Sequence, residues 1–261
     1  MVKDIFNRIY LFLIFVFLYA PIAVLIIFSF NNSKSRANWN GFTLKWYLQL
    51  FRDPDIKKAL YYTILIAIIS SIISTIIGTA AAIGIHSMSK WKKSLVMNIT
   101  YLPILNPDIV TGISLMILFI FLKVRLGFVS MLLAHVTFNI PYVILSVMPK
   151  LKQLNKHLYE AALDLGASPT YAFFKVILPE IMPGIITGAL LAFTLSLDDF
   201  VISFFTAGSG VTNLSIAIYS MARRGVNPTI NALSTLMFLS VLILLFIVNK
   251  RTSKDIKEEK N

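Results

Sequence analysis

Apolar residues gather into six long blocks separated by polar connections: 9–30, 60–85, 96–122, 128–148, 184–205 and 230–248. A helix that crosses the hydrocarbon core needs about 20 mostly apolar residues, and each block approaches or exceeds that length. The first block follows Lys3 and Arg8, as the core of a secretory leader would. It contains Pro21, however, and runs into Asn31-Asn32-Ser33 rather than a small-residue cleavage site, so it reads as an uncleaved span. The pattern predicts an all-α membrane protein of six transmembrane helices, built as a single domain over 1–261. No internal repeat or low-complexity run is evident.

Two connections are longer than a turn. Segment 31–59 holds Gly41-Phe42-Thr43-Leu44-Lys45-Trp46-Tyr47, which predicts a short interfacial helix with Trp46 at headgroup level. Segment 150–183 alternates helix formers with breakers. Helix formers run through Glu160-Ala161-Ala162 to Leu165, where Gly166 suits a left-handed cap. Ser168 suits an N-cap and Pro169 the first turn of a second short helix, expected from Thr170 to about Leu178. Pro179 and Pro183 are expected to separate that helix from the fifth span.

Composition narrows the class. The chain is 57% hydrophobic and 14% charged, well below the roughly 25% charged of a soluble domain. On such a chain a net charge of +12 reads as topology signals and lipid anchors rather than nucleic-acid binding. The absence of cysteine removes disulfides and thiol chemistry. No H-E-x-x-H, serine-hydrolase elbow or phosphate-cradling G-x-x-x-x-G-K-[ST] is present, so neither catalysis nor ATP binding is expected in this chain. Six spans put both termini on one side. With the termini inside, 14 Lys and Arg lie inside and ten outside, a weak bias in the expected direction, against which the first outer loop, with Lys34, Arg36, Lys45, Arg52, Lys57 and Lys58, argues.

The acids within the spans carry the candidate chemistry. Asp108 falls in the third block and Asp198 and Asp199 in the fifth, while no block contains Lys or Arg. A charge at the bilayer centre costs about 2.5–3.5 kcal/mol on insertion scales. These carboxylates therefore need protonation, water, a partner across an interface, or a cationic substrate. On straight helices Asp108 and Asp198 would lie about 18 and 21 Å into their spans, at one level. Asp198 and Asp199 point about 100° apart, so one is expected on the path and the other against a neighbouring helix or subunit. Thr194 shares a stripe with Asp198, and Ser196 with Asp199. The competing role is polar glue between helices. Tyr19, Trp46 and Tyr219 are candidates to stack on ammonium groups, although interface belts and packing also call for aromatics. His135, near Asn139 and Pro141, is expected to be packed and hydrogen-bonded rather than metal-bound. Pro103 and Pro107 are expected to kink the third span near Asp108.

Glu160-Ala161-Ala162, three residues, Gly166, nine residues, then Val176-Ile177-Leu178-Pro179 resembles the EAA loop of binding-protein-dependent ABC importer permeases. Val176 replaces the usual isoleucine. The resemblance implies the type I importer permease fold, with 150–183 as a cytoplasmic coupling loop that seats in an ATPase dimer. ATP and Mg would be bound by that partner, with no cofactor in this chain. It also implies both termini in the cytoplasm of a bacterial inner-membrane, multi-pass protein in contact with lipid. Pro107-Asp108-Ile109-Val110, Phe193-Thr194-Leu195-Ser196-Leu197-Asp198-Asp199, and Ile218-Tyr219-Ser220 through Gly225, Pro228 and Asn231-Ala232-Leu233 resemble the second permease subunit of spermidine/putrescine importers. This likeness implies a heterodimer with a sister permease and an extracytoplasmic polyamine-binding protein. Iron or thiamine, also cationic, remain alternative cargoes. An ion-coupled secondary transporter is the alternative of another class, and it predicts inverted repeats.

Overall fold

A computed structural model describes residues 2–33, 38–224 and 228–258. Gly225, Lys34 and Arg36 lie outside the described residues. The first span is α1 (Val2–Phe28), with Pro21 inside it and none of its apolar stretch Phe6–Phe28 buried. A short α2 (Lys45–Arg52) precedes the long α3 (Pro54–His86). Next come α4 (Lys90–Leu105), α5 (Asp108–Phe121) and α6 (Phe128–Gln153). The connection that follows holds α7 (Lys156–Asp164) and α8 (Pro169–Ala172). It leads to α9 (Leu178–Asp198), α10 (Val201–Thr206), α11 (Leu214–Arg224) and α12 (Pro228–Glu258).

The third and fifth blocks are not continuous helices. α4 and α5 meet at a bend of 104°. The cause is local: Pro107 has no N–H to continue the ladder and drives Asn106 to extended dihedrals (φ −75°, ψ 143°). Pro103 stays inside α4, so only the second of the two prolines breaks the span. The fifth block ends its first helix at Asp198 and restarts at Val201. No proline lies at that break. Asp199 turns out of the helix (φ −60°, ψ 126°) and its carboxylate accepts from the backbone N–H groups of Ile202 (3.2 Å) and Ser203 (2.7 Å). A short acid that bonds backbone donors competes with the helical ladder, which explains a stop without proline.

Four stretches are long and apolar enough to cross a membrane: Phe6–Phe28, Pro54–His86, Phe128–Gln153 and Pro169–Asp198. The bent pair α4–α5 accounts for the third block. The sixth block falls in α12, whose described apolar stretch is Pro228–Ile243. The expected separation at Pro179 is absent. α8 continues through a π-helical stretch, Phe173–Ile177, straight into α9. A π turn widens the backbone, and it precedes Pro179 and Pro183, whose missing N–H groups a narrow helix would leave as defects.

Packing divides the chain into two compact units, Met1–Lys58 with Ala217–Leu244 and Ala59–Ile216 with Leu245–Asn261. In the first, Asn31 organises the turn after α1. Its side chain donates to the Asn38 carbonyl (2.8 Å) and accepts from the Asn40 N–H (2.9 Å). Its own carbonyl accepts from the Trp46 indole N–H (2.7 Å). Trp46 is 4% exposed, so the indole is a peg within this unit and not a headgroup anchor.

In the second unit α6 is the central helix. Ala82 and Ile85 of α3 pack with Val143, Ile144 and Val147 of α6 and with Ile181 and Ala192 of α9. On α9 the buried positions Gly184, Gly188, Ala192 and Ser196 recur every four residues, one stripe of small side chains. Between membrane helices, where lipid is as apolar as leucine, close backbone approach supplies the attraction, and a small-xxx-small stripe permits it.

Candidate translocation and coupling sites

The connection 154–178 folds as a tight helical corner. The Asn155 side chain caps α7 by accepting from the His157 N–H (3.0 Å). At the other end Gly166 sits at φ +85°, the left-handed region that glycine enters without penalty. The Gly166 N–H donates to the Leu163 carbonyl (2.9 Å) and the Ala167 N–H to the Ala162 carbonyl (3.1 Å), the paired bonds of a Schellman cap. Ser168 then caps α8 by accepting from the Tyr171 N–H, with Pro169 at the first helical position. Glu160, Ala161 and Ala162 thus lie on α7, Gly166 at the corner, and Leu178 and Pro179 at the start of α9. The corner frames a groove of about 570 Å³ lined by Ala162, Leu165, Gly166, Ser168, Tyr171 and Val176. Leu165 is 89% exposed at its edge, a large apolar side chain held out to solvent. Glu160 meets His157 at 3.3 Å on the exposed face of α7.

The acids gather at the two breaks. Asp108 opens α5 directly after Asn106-Pro107, and Asp198-Asp199 precede α10. The two short second halves pack side by side. A Cβ on Gly112 of α5 would lie 3.0 Å from the Phe205 ring and 3.4 Å from the Val201 carbonyl, both on α10. Further along, Gly208 abuts the Leu126 carbonyl. The halves therefore run in the same direction, and both begin at their acids. Asp108 is exposed at a helix start and not, as expected, embedded partway along a straight span at the depth of Asp198. The broken spans bring it to the same end of the α5–α10 pair as Asp198 by a different route.

The three carboxylates differ in surroundings. Asp108 and Asp198 are exposed, and neither carboxylate has a hydrogen bond or ion pair to another side chain among the described residues. Asp199 is committed: it caps α10, and its Oδ2 lies 3.5 Å from His135 Nε2, with its side chain 9% exposed. Ser203 Oγ shares a 2.9 Å hydrogen bond with His135 Nε2 and accepts from Asn213 Nδ2 at 2.8 Å. The same Asn213 nitrogen donates to the Asp199 carbonyl (3.0 Å). Because Asp199 has left the helix, the stripe expected between it and Ser196 does not form. Ser196 is 2% exposed and bonds Ser70 Oγ (2.9 Å) and Asn139 Nδ2 (2.8 Å), which ties α9 to α3 and α6. Tyr19 is 53% exposed on α1 and stacks with Phe15 at 6.2 Å. Nothing in the sequence singles out Asn213, Ser203 or Ser70 as site residues. Their one signal was polarity inside or beside apolar blocks.

This arrangement is that of an importer permease. The chain superposes on the alginate ABC importer with a TM-score of 0.77, covering 95% of this chain and 96% of that one at 13% identity. It superposes on the inward-facing methionine transporter MetNI with a TM-score of 0.62, covering 82% and 99% at 18% identity. Residues 74–258 match the family described as binding-protein-dependent transport system inner membrane component, and the chain belongs to that family. It is therefore a transport subunit of an ABC importer, a multi-pass protein of the bacterial inner membrane that works with a binding protein. It is 39% identical over 231 residues to the spermidine/putrescine permease PotC of Escherichia coli, covering 88% of each. It is 43% identical over 241 residues to the putrescine permease PotI of the same organism, covering 89% of this chain and 85% of that one. The PotC homolog of Mycoplasma pneumoniae is 31% identical over 252 residues.

Proposed function

We propose that this chain is one of two permeases of a polyamine importer that moves putrescine or spermidine inward by alternating access. The observation that carries the reading is the similarity to PotC and PotI over 85% or more of each chain. The electrostatics agree with it. Asp108 and Asp198 are exposed, uncompensated carboxylates at adjoining breaks, where the bonded helix gives way to open backbone. Such a site attracts an alkylammonium and repels anionic cargo. Asp199 supports the site from behind by capping α10.

In the complete importer a sister permease closes the path, and an extracytoplasmic polyamine-binding protein delivers the cargo. An ATPase dimer binds ATP and Mg and receives the Glu160–Pro179 corner, with exposed Leu165 at the contact. Closure of the ATPases displaces this corner, and the unbroken helix Pro169–Asp198 carries the displacement to Asp198. That is a two-state element biased by a ligand bound elsewhere. Both termini then lie in the cytoplasm.

The test is uptake of labelled putrescine and spermidine by cells that lack other polyamine importers and express the chain with its partner subunits. Uptake that requires ATP and is not competed by thiamine or ferric iron is expected. Saturable ATP-dependent uptake of one of those cations in place of polyamines would overturn the assignment.

A further inference from the structure

The break in the fifth span leaves two helices to be held in register, and both sides of it are tied to α6. Before the break, Asn139 Nδ2 donates to Ser196 Oγ at 2.8 Å. After it, His135 Nε2 meets Ser203 Oγ at 2.9 Å and lies 3.5 Å from the Asp199 carboxylate. His135 and Asn139 are one helical turn apart, so a single face of α6 reaches both points. Asn213 closes the arrangement, with one nitrogen donating to the Asp199 carbonyl and to Ser203 Oγ. The tying residues are sealed from solvent: His135, Asn139, Asn213, Ser196 and Ser203 are all 2% exposed or less. Only Asp198, between the two tied points, is exposed.

We propose that His135 and Asn139 of α6, with Asn213, form a clamp across the break and act as positioning residues that set where the Asp198 carboxylate sits. A six-residue helix such as α10 has no stability of its own, because helix nucleation is unfavourable and short segments do not repay it. Its place must come from bonds to neighbours, here those that Asn139 makes to Ser196 and that His135 and Asn213 make to Ser203, while His135 Nδ1 and Asn139 Oδ1 stay buried without a partner among the described residues. Of the three polar side chains buried on α6, His135 and Asn139 stand at the break, while Ser130 holds the far end of α10 by donating to the Thr206 carbonyl (2.8 Å). Interhelical glue alone would call for contacts anywhere along the packed surface. These fall on either side of Asp198, the exposed acid at the break.

The proposal deepens the polyamine reading and rests on it for its purpose, but its geometry is testable without substrate. The chain has no cysteine, so Asp198→Cys gives a single thiol. In detergent-solubilised protein, its rate of reaction with a cationic methanethiosulfonate reports the position of residue 198. Adding His135→Leu should change that rate by about fivefold or more, the scale of a lost neutral hydrogen bond. His135→Gln, whose amide can replace Nε2, should restore it to within about twofold. A reporter at Met88→Cys should not respond to either. If His135→Leu does not assemble, Asn213→Ala and Asn139→Ala give the same readout. An unchanged rate at residue 198 in every assembled clamp variant overturns the proposal, as does a change of equal size at residue 88. Uptake by Asp198→Asn is the separate arm: native transport in that variant overturns the cation path, while an altered labelling rate would still establish the clamp.

Discussion

Gly188 of α9 meets Val143 of α6 at backbone distance: a Cβ added to Gly188 would lie 3.2 Å from the Val143 Cα. One turn earlier, a Cβ on Gly184 would lie 2.9 Å from the Ser146 carbonyl. On the other flank of α6, Gly78 of α3 leaves room for the Val143 side chain: a Cβ added to Gly78 would lie 2.7 Å from the Val143 Cβ. The central helix is held by glycine on both sides, and this contact aligns the fifth span so that Ser196 and Ser203 reach α6.

Overpacking there should be expensive. Gly184→Ala and Gly188→Ala place a methyl against backbone that cannot swing aside, at a cost of about 1–3 kcal/mol each. The expected outcome is less folded permease in the membrane and a lower midpoint of thermal unfolding in detergent. Native abundance and unfolding for both variants would mean that α6 and α9 are less tightly joined than these distances show.

The corner at Gly166 gives a different result. Nothing lies within 4 Å of a Cβ built there, so the penalty for a side chain is purely the left-handed backbone, about 1–2 kcal/mol. Gly166→Leu should insert normally and lose ATP-dependent uptake, because α7 and α8 no longer hold their angle. Gly166→Asn should retain most of it, since asparagine tolerates that conformation. Equal uptake by the leucine variant and the native protein, at matched expression, would remove the mechanical role of the corner.

The three aspartates should separate by phenotype. Asp198→Asn and Asp108→Asn remove charge-assisted bonds to an ammonium, about 1.5–3 kcal/mol, and should lower uptake tenfold or more at normal abundance. Asp199→Ala removes the side-chain acceptor of the Ile202 and Ser203 N–H groups, about 0.5–2 kcal/mol as for a lost helix cap, and should lower abundance and thermal stability first. Quantitative immunoblotting beside labelled-putrescine uptake makes the distinction. Three identical phenotypes would contradict the division drawn from their surroundings.

Trp46 should behave as a structural residue. Trp46→Phe keeps an aromatic side chain but loses indole volume and the 2.7 Å bond to the Asn31 carbonyl, and should lower thermal stability with the apparent KM for polyamine unchanged. A raised KM at native stability would return the indole to the substrate path.

Topology can be read on the cysteine-free background. Asn40→Cys should react with an impermeant thiol reagent applied to intact cells, and Thr170→Cys should react only after permeabilisation. The opposite pattern would invert both termini and the corner.

The sequence by itself determined the membrane class, the six apolar blocks, the corner at Gly166 and the identity of the acids. These are local properties. Hydrophobic length follows from composition, and a glycine flanked by helix formers and Ser-Pro specifies its own turn. Pro107 announced a kink near Asp108, although not a bend of 104°. The break at Asp199 is illegible because its cause is a side chain choosing backbone donors over the helix, a choice stabilised by nearby Ser203 and Asn213 and by His135 from a different span. Tertiary structure alone decided which acids stay exposed, that Trp46 is buried, and that Ser196 joins three helices. Each depends on which neighbour arrives opposite a residue, and helical periodicity fixes a direction but not what stands there.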